Sequence, residues 1–222
     1  SHMSVGIGTA AADRQLLIIA GGVDSTFTAP AATISTLAVG GTPATFLVRS
    51  NPLDGNNSTG LIEAWIIAFP TGTAADIDIT YSETMFFSTV IVFELNGIDP
   101  ALYDSATTPT VQATTHDVSL DVPAGGVAIS GSVSGPSTAG HTWTGTAEVA
   151  EVGAFSDAFS FSAADYEAAT AQTPLDVDVA YSVGETVSSA ISVSFAEAAS
   201  GAGNEVSPFL SRRRMLIAIQ NY

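Results

Sequence analysis

The sequence predicts an all-β protein, built as an antiparallel β-sandwich of the jelly-roll or Ig-like kind with two pseudo-repeated halves. Three observations predict this fold. Short runs rich in Val, Ile, Phe, Tyr and Thr are separated by Gly, Pro, Asn, Asp and Ser, which is typical of strands and turns. Several of these runs alternate apolar and polar residues with a period of two. One alternating pattern also recurs later in the chain in the same order.

The individual strands follow from this pattern. In 76–81, aspartates alternate with isoleucines, as a half-buried strand requires. The runs 16–19 and 90–93 are apolar on both faces and are predicted to be central strands. Only 163–171 could instead form one or two helical turns. The predicted strands are 4–11, 14–21, 34–39, 44–50, 60–69, 75–82, 86–95, 117–122, 126–133, 143–149, 155–162, 175–182, 187–196 and 213–220.

An internal repeat divides the chain into two halves. The segment 76–82, Asp-Ile-Asp-Ile-Thr-Tyr-Ser, returns at 176–182 as Asp-Val-Asp-Val-Ala-Tyr-Ser, and an apolar strand follows each copy. Two further matches keep the same order: Gly21-Gly22 with Gly125-Gly126, and the strands that carry Trp65 and Trp143. The repeated order indicates two related sandwich halves, although alternating Asp and Val strands also resemble each other by chance.

We expect five segments along the chain. They are a tag remnant at 1–3, the first sandwich half at 4–98, a connecting loop rich in Pro, Thr and Ala at 99–116, the second half at 117–198, and a linker with a C-terminal strand at 199–222. The sequence leaves open whether the halves form separate domains or share sheets. It also offers the last strand no hairpin partner. We expect that strand to pair with 14–20 in the first half, or with a neighbouring subunit.

The charge distribution argues against two classes of partner. The chain has 22 acidic residues and five arginines, a formal charge of −17, and no Lys or Arg between 50 and 211. Phosphate backbones and anionic headgroups would repel it, so we expect no nucleic-acid partner and no membrane insertion. No apolar run approaches the roughly 18 residues that a membrane span needs, which predicts a soluble protein. The arginine triplet 212–214 is expected to form salt bridges within the chain or between subunits.

The sequence favours a protein that is not an enzyme. The absence of cysteine excludes thiolate zinc sites and cysteine nucleophiles. Outside the N-terminal tripeptide, only His116 and His141 could act as a general base, and neither stands near a motif such as G-x-S-x-G. Carboxylate pairs at 76/78 and 176/178 could in principle cleave glycosides, but any exposed alternating strand shows the same pairs.

The loop 51–58 is the candidate metal site. Asp54, Asn56 and Asn57 bring side-chain oxygens together at short spacing, which suits a hard cation such as Ca²⁺. The same residues also suit an ordinary turn, and the spacing of an EF-hand is absent. We expect no other cofactor.

Trp143, His141 and Tyr103 are the candidate ligand-binding residues. His141 and Trp143 share one side of their strand and threonines occupy the other, so Trp143 is either a core residue or a stacking platform for a glycan. Tyr103, beside an aspartate in the connecting segment, is expected to be exposed. Trp65 lies in a very apolar strand and is expected in the core.

Three phrases resemble a known group of proteins. They are Ile-Gly-Thr-Ala-Ala-Ala-Asp-Arg at 7–14, Ala-Phe-Pro-Thr-Gly-Thr-Ala-Ala-Asp-Ile at 68–77, and Leu-Asp-Val-Pro-Ala-Gly-Gly-Val-Ala-Ile at 120–129. Over 4–198 the chain resembles poorly characterised β-rich proteins of phages, prophages and gene-transfer-agent-like clusters of alphaproteobacteria. The shared phrases are turns and strands, so the resemblance carries over no functional residues.

The resemblance implies a virion or tail-associated component, such as a spike, fibre or decoration domain that contacts a host surface polysaccharide. Such a protein would be found in the virion or outside the cell. Its expected partners are further copies of itself or other virion proteins. A stand-alone carbohydrate-binding module, or an adhesin-like secreted domain, is the alternative.

Overall fold

The computed structural model describes residues 2–24, 32–52, 60–135, 140–155, 159–182, 186–199 and 215–221. These residues form strands, turns and loops with no helix among them, which confirms the all-β prediction. The strands are β1 (His2–Gly6), β2 (Gln15–Asp24), β3 (Ile34–Val39), β4 (Thr42–Pro43), β5 (Thr45–Arg49), β6 (Asn51–Pro52), β7 (Gly60–Ala68), β8 (Ala74–Tyr81), β9 (Met85–Leu95), β10 (Ile98–Thr107), β11 (Pro109–Ala113), β12 (Thr115–Asp117), β13 (Leu120–Val122), β14 (Val127–Gly135), β15 (His141–Thr144), β16 (Ala147–Phe155), β17 (Phe159–Glu167), β18 (Gln172–Leu175), β19 (Asp178–Tyr181), β20 (Thr186–Glu197) and β21 (Met215–Asn221).

The strands form four stacked layers. Outer sheet 1 has the order β1-β8-β3-β4, and inner sheet 1 has the order β21-β9-β2-β7-β5. Inner sheet 2 has the order β16-β17-β14-β20-β11-β6, with β10 also paired to β20. Outer sheet 2 is the trio β12-β19-β15. The two-stranded ribbon β13-β18 contributes apolar side chains to the same core as this trio. The molecule is therefore a pair of sandwiches packed through their inner sheets.

Three apolar clusters fill the spaces between these layers. The first lies between the two sheets of the first half and includes Ile18 and Ile77. The middle cluster lies between the inner sheets and is built around Phe93, Phe161 and Phe195. The third lies between the two sheets of the second half and includes residues of β14, β17, β19 and β20. Each fully buried Phe or Ile contributes about 1.5–3 kcal/mol, so the middle cluster holds the two halves together.

Two glycines allow the inner sheets to approach closely. A Cβ atom at Gly131 in β14 would lie 2.6 Å from Ile19 Cγ2 and 2.9 Å from Ile62 Cδ1. A Cβ atom at Gly21 in β2 would overlap the ring of Phe161. Both contacts cross from one half to the other. Glycine at these positions is therefore needed for the packing of the two halves.

The two halves share one topology. In the outer sheets, β8 lies between β1 and β3, and β19 lies between β12 and β15. In the inner sheets, β2 lies between β7 and β9, and β14 lies between β17 and β20. β5 and β16 then flank β7 and β17. The repeat at 76–82 and 176–182 falls on the equivalent strands β8 and β19.

A tyrosine–serine contact recurs at equivalent positions. The Tyr81 hydroxyl is hydrogen-bonded to Ser88 Oγ. The Tyr181 hydroxyl is hydrogen-bonded to Ser188, and also to Ser132 Oγ at 2.8 Å. In each half the contact joins the outer sheet to the inner sheet. The repeat therefore extends from the strand pattern to a side-chain contact.

The other two sequence matches do not occupy equivalent positions. Gly21-Gly22 lie within β2, whereas Gly125-Gly126 precede β14. Trp65 lies on β7 of inner sheet 1, whereas Trp143 lies on β15 of outer sheet 2. These two matches share their order along the chain but not their position in the fold.

Each half gives a strand to the inner sheet of the other. β10 follows β9 directly but pairs antiparallel with β20, from Ile98 opposite Glu197 to Thr107 opposite Ile191. β21 follows the second half but pairs antiparallel with β9, from Met215 opposite Phe93 to Asn221 opposite Phe87. The two halves therefore share sheets and do not form separate domains.

The structure corrects several expectations about segments. The segment 99–116, expected as a loop from its composition, forms β10, β11 and most of β12, because β20 and β19 supply hydrogen-bond partners to its backbone. Residues 163–167, considered as a helical turn, belong to β17 and pair with β14. The C-terminal strand does return to the first half, but β9 separates it from β2. His2 and Met3, expected to be a tag remnant, lie in β1, and this position leaves that expectation untested.

Candidate functional site

The three predicted ligand-binding residues lie in two different environments. Trp143 and His141 are on β15 and face the core, with only 8% and 3% of their surface exposed. Tyr103 is on β10 and is 52% exposed, as expected. The alternation of β15 predicted that Trp143 and His141 share a face, and they do, but that face is the inner one. Neither residue therefore shares a surface with Tyr103.

Trp143 connects the two sheets of the second half. Its indole Nε1 donates a hydrogen bond to Ser162 Oγ at 2.8 Å. Ser162 lies on β17 of inner sheet 2 and is fully buried. A buried indole with its N–H satisfied is a stable core element, so the core interpretation describes Trp143.

His141 belongs to a buried polar cluster that we call the Ser-His-Tyr network, defined by His116, His141, Tyr181 and the serines around them: Ser132, Ser134, Ser160 and Ser188. His141 Nε2 lies 2.7 Å from Ser134 Oγ and 3.0 Å from Ser160 Oγ. Burial lowers the pKa of His141 to about 4. The imidazole is therefore neutral at pH 7.

His116 and Tyr181 complete the network. His116 Nε2 lies 3.0 Å from Ser188 Oγ, and burial lowers the pKa of this histidine as well. Tyr181 makes edge-on ring contacts with both histidines, at centroid distances of 5.8 Å to His116 and 5.1 Å to His141. Burial raises the pKa of Tyr181 to about 12. All three rings are thus held uncharged between the sheets.

The Ser134–His141 distance matches that of a nucleophile and its general base. Both residues, however, lie buried between inner sheet 2 and outer sheet 2. A buried polar cluster whose members bond to one another specifies how two sheets pack. This is the role that the geometry supports for the network.

A second polar cluster lies in the first half around the buried carboxylate of Glu63. Glu63 Oε1 accepts hydrogen bonds from Arg49 Nε at 2.6 Å and from the Ile34 backbone N–H at 3.0 Å. Glu63 Oε2 accepts one from Trp65 Nε1 at 2.8 Å. Three donors compensate the desolvation of this charge and hold the Arg49 side chain in one position.

Arg49 and Phe46 extend this cluster to the surface. Phe46 is 44% exposed and packs edge-on against Trp65, with ring centroids 5.3 Å apart. The Arg49 guanidinium lies 5.4 Å from the Phe46 ring centroid and its side chain is 33% exposed. Both residues lie on β5, which approaches β10, the strand that carries Tyr103. We call Phe46 and Arg49 the aromatic flank, since no contact joins Tyr103 to either of them in the described residues.

The aromatic flank is chemically suited to a hydroxyl-rich ligand. An exposed ring offers a stacking face, and a guanidinium held in place offers several N–H donors in a fixed geometry. Sequence reasoning missed Phe46 and Arg49, because the apolar run 46–48 does not show that β5 lies at the edge of a sheet. The only available signal was the rarity of arginine in this chain.

Arg14 is a buried cation with a structural role. Its Nε donates to the Phe69 carbonyl at 2.7 Å, its Nη1 to the Ile7 carbonyl at 3.1 Å, and its Nη2 to the Thr71 and Gly72 carbonyls at 2.6 and 3.1 Å. These bonds join the phrases at 7–14 and 68–77 into one unit. Two of the three phrases that carry the resemblance thus meet around a single side chain.

The candidate calcium ligands Asp54, Asn56 and Asn57 lie outside the described residues. Within the part of the chain that the structure describes, there is no group of three or more His, Asp or Glu side chains placed to hold a metal ion. A search of the same residues for a helix of the length and apolarity needed to cross a membrane finds none.

Comparison with known proteins finds no matching family model, no similar curated protein and no similar solved structure.

Proposed function

We propose that this chain is a non-catalytic structural protein of a phage or phage-like particle, acting as a spike, fibre or decoration component. The observation that carries this function is the reciprocal strand exchange, in which β10 pairs with β20 and β21 pairs with β9. Backbone pairing across a boundary is a common way to join protein units into an assembly. Here the chain already uses it to join its own two halves.

The polar groups of the interior support a structural role. The hydroxyl–imidazole pairs of the Ser-His-Tyr network lie between two sheets, and Arg14 bonds only to backbone carbonyls in the described residues. These arrangements use reactive side chains to fix sheets and loops in place. The formal charge of −17 would keep such a protein soluble before assembly.

The assembly function is tested by measuring the oligomeric state. Size-exclusion chromatography with light scattering should give a defined oligomer at micromolar concentration. A monomer at every concentration would contradict the assembly function. The genes beside this one provide an independent test, since flanking capsid or tail genes are expected and a secreted-protein setting is not.

A carbohydrate-binding or adhesin-like module is the second candidate function, favoured by the aromatic flank. Phe46 and Tyr103 are the exposed large hydrophobic side chains of the described residues, and they lie on two strands that approach each other. Their overall setting is acidic, so a neutral glycan fits better than an acidic one.

A glycan array tests this second function. Phe46→Ala and Tyr103→Ala should each weaken the hits. Tyr103→Ala should leave the melting temperature nearly unchanged because about half of the side chain is exposed, whereas Phe46→Ala should also lower it modestly through the lost contact with Trp65. Thr45→Ala, an exposed neighbour on the same strand, is the matched control. The absence of any hit for the unmodified chain would exclude glycan binding on this surface.

A further inference from the structure

The C-terminal strand covers an edge that must be paired. β9 is deeply buried where its side chains are described, and Val92 and Phe93 in it are fully buried. β2 occupies one of its edges and β21 the other. An uncovered edge beside so apolar a strand would present unpaired backbone groups to other chains. Some strand must therefore occupy the position of β21.

The two exchanged strands differ in how they are connected. β10 begins three residues after the end of β9, so its pairing with β20 is set by a short turn. β21 is separated from β20 by residues 198–214, about 17 residues. Fully extended, such a segment spans about 55 Å. A compact chain of this length has a radius of gyration of about 17 Å, so β21 has enough connecting chain to reach a neighbouring molecule.

Charge favours contact between this terminus and the acidic body of the protein. Arg212, Arg213 and Arg214 immediately precede β21. The rest of the chain has 22 acidic residues against Arg14 and Arg49. A positive segment attached to a strand is attracted to a strongly acidic body, whether it belongs to its own chain or to another copy.

We infer that β21 is an exchangeable strand that can pair with β9 of a second copy of this chain, in the register that it adopts within its own chain. The partner in trans is thus the edge of β9, and the arginine triplet promotes the encounter. This inference rests on the proposed assembly function and specifies the contact that performs it. The pairing of β21 with β9 within one chain is the intramolecular form of the same contact.

Matched cysteines can detect the exchange, because the natural chain has no cysteine. Thr89 lies directly opposite Ile219 in the β9–β21 register. Residues directly opposite in an antiparallel pair bring their Cβ atoms to about 5 Å, close enough for a disulfide after a small adjustment. Full-length Thr89→Cys and full-length Ile219→Cys are unfolded, mixed, refolded together and mildly oxidised. Strand exchange should give a disulfide-linked species of twice the chain mass that contains both variants.

Gln220→Cys, mixed with Thr89→Cys, is the matched control. Gln220 lies opposite Ser88 and is therefore one residue out of register with Thr89. Successive positions of a strand alternate between the two faces of a sheet. This pair should cross-link much less. Equal cross-linking of both pairs, or none in the matched pair, would overturn strand exchange. If either matched variant fails to refold, Ser88→Cys with Gln220→Cys provides a second in-register pair.

The same samples distinguish failure of this inference from failure of the assembly function. A defined oligomer without the matched cross-link would overturn strand exchange and leave assembly by another surface. A monomer without the cross-link would overturn both.

Discussion

His141 Nε2 lies 2.7 Å from Ser134 Oγ, and this contact crosses the space between the two sheets of the second half. The imidazole reaches this position as a neutral group, because burial lowers its pKa to about 4. Tyr181 lies against the same ring, and the neighbouring His116 has a lowered pKa for the same reason. Protonation of either histidine would place an unscreened charge between the sheets.

Stability should therefore fall in acid. The unfolded histidine has a pKa of 6.5. As the pH falls from 6.5 toward 4, His141 is protonated in the unfolded chain but stays neutral in the folded chain, so the free energy of unfolding decreases. The stabilisation by neutral His141 is complete above pH 6.5 and amounts to about 3 kcal/mol relative to pH 4. Urea unfolding at pH 7.5 and pH 4.5 measures the difference. His141→Gln, which does not titrate, should show a smaller difference, and an unchanged pH dependence would contradict this explanation.

Removal of the buried carboxylate should destabilise the first half. Glu63→Ala leaves the Arg49, Ile34 and Trp65 donors without their acceptor, at a cost of about 3 kcal/mol. Chemical unfolding measures the loss. Glu83→Ala removes the same charge from an exposed turn and should have little effect. Equal losses for the two variants would show that net charge, and not the buried contacts, decides the stability.

A methyl group at the interface of the halves should also be costly. The Cβ of Gly131→Ala would lie 2.6 Å from Ile19 Cγ2, so the inner sheets must move apart or change rotamers, at about 1–3 kcal/mol. Thermal unfolding should show a clear decrease in melting temperature. In the control Gly60→Ala, the nearest atom is Val133 Cγ1 at 3.3 Å, which is a milder contact. A Gly131→Ala variant as stable as the original would mean that the inner sheets pack less closely than described.

The repeated tyrosines should contribute similarly to the two halves. Tyr81→Phe removes a hydroxyl that is hydrogen-bonded to Ser88 of the adjacent sheet, and Tyr181→Phe removes one that is hydrogen-bonded to both Ser188 and Ser132. Each substitution should cost about 1 kcal/mol or somewhat more. Tyr103→Phe removes an exposed hydroxyl and should cost little. Denaturant midpoints of the three variants give the comparison. A loss confined to one of the two repeated positions would contradict their equivalence.

The sequence predicted the strands well where local pattern decides the structure. Asp76 and Asp78 are exposed while Ile77 and Ile79 are buried, as the alternation required. The apolar run 16–19 is completely buried in a central strand, also as predicted. These features depend on the two-residue period of a strand, which can be read without knowing the neighbouring strands.

The sequence could not predict features that depend on which strands become neighbours. The pattern of β15 showed that Trp143 and His141 share a face, but only the position of outer sheet 2 makes that face the inner one. Phe46 is exposed because β5 is an edge strand, and nothing in its local sequence marks an edge. Residues 99–107 form a strand because β20 lies beside them, a contact between residues far apart in the chain.

The exchange of β10 and β21 between the two halves also determines how the protein unfolds. The inner sheet of each half contains one strand that belongs to the other half: β10 pairs with β20, and β21 pairs with β9. Unfolding of one half therefore removes a hydrogen-bonded strand from the other. Heat should consequently produce one calorimetric transition for the whole chain, with no state in which a single half survives. Limited proteolysis should then release no stable fragment. The chain should unfold as one unit even though its sequence contains an internal repeat.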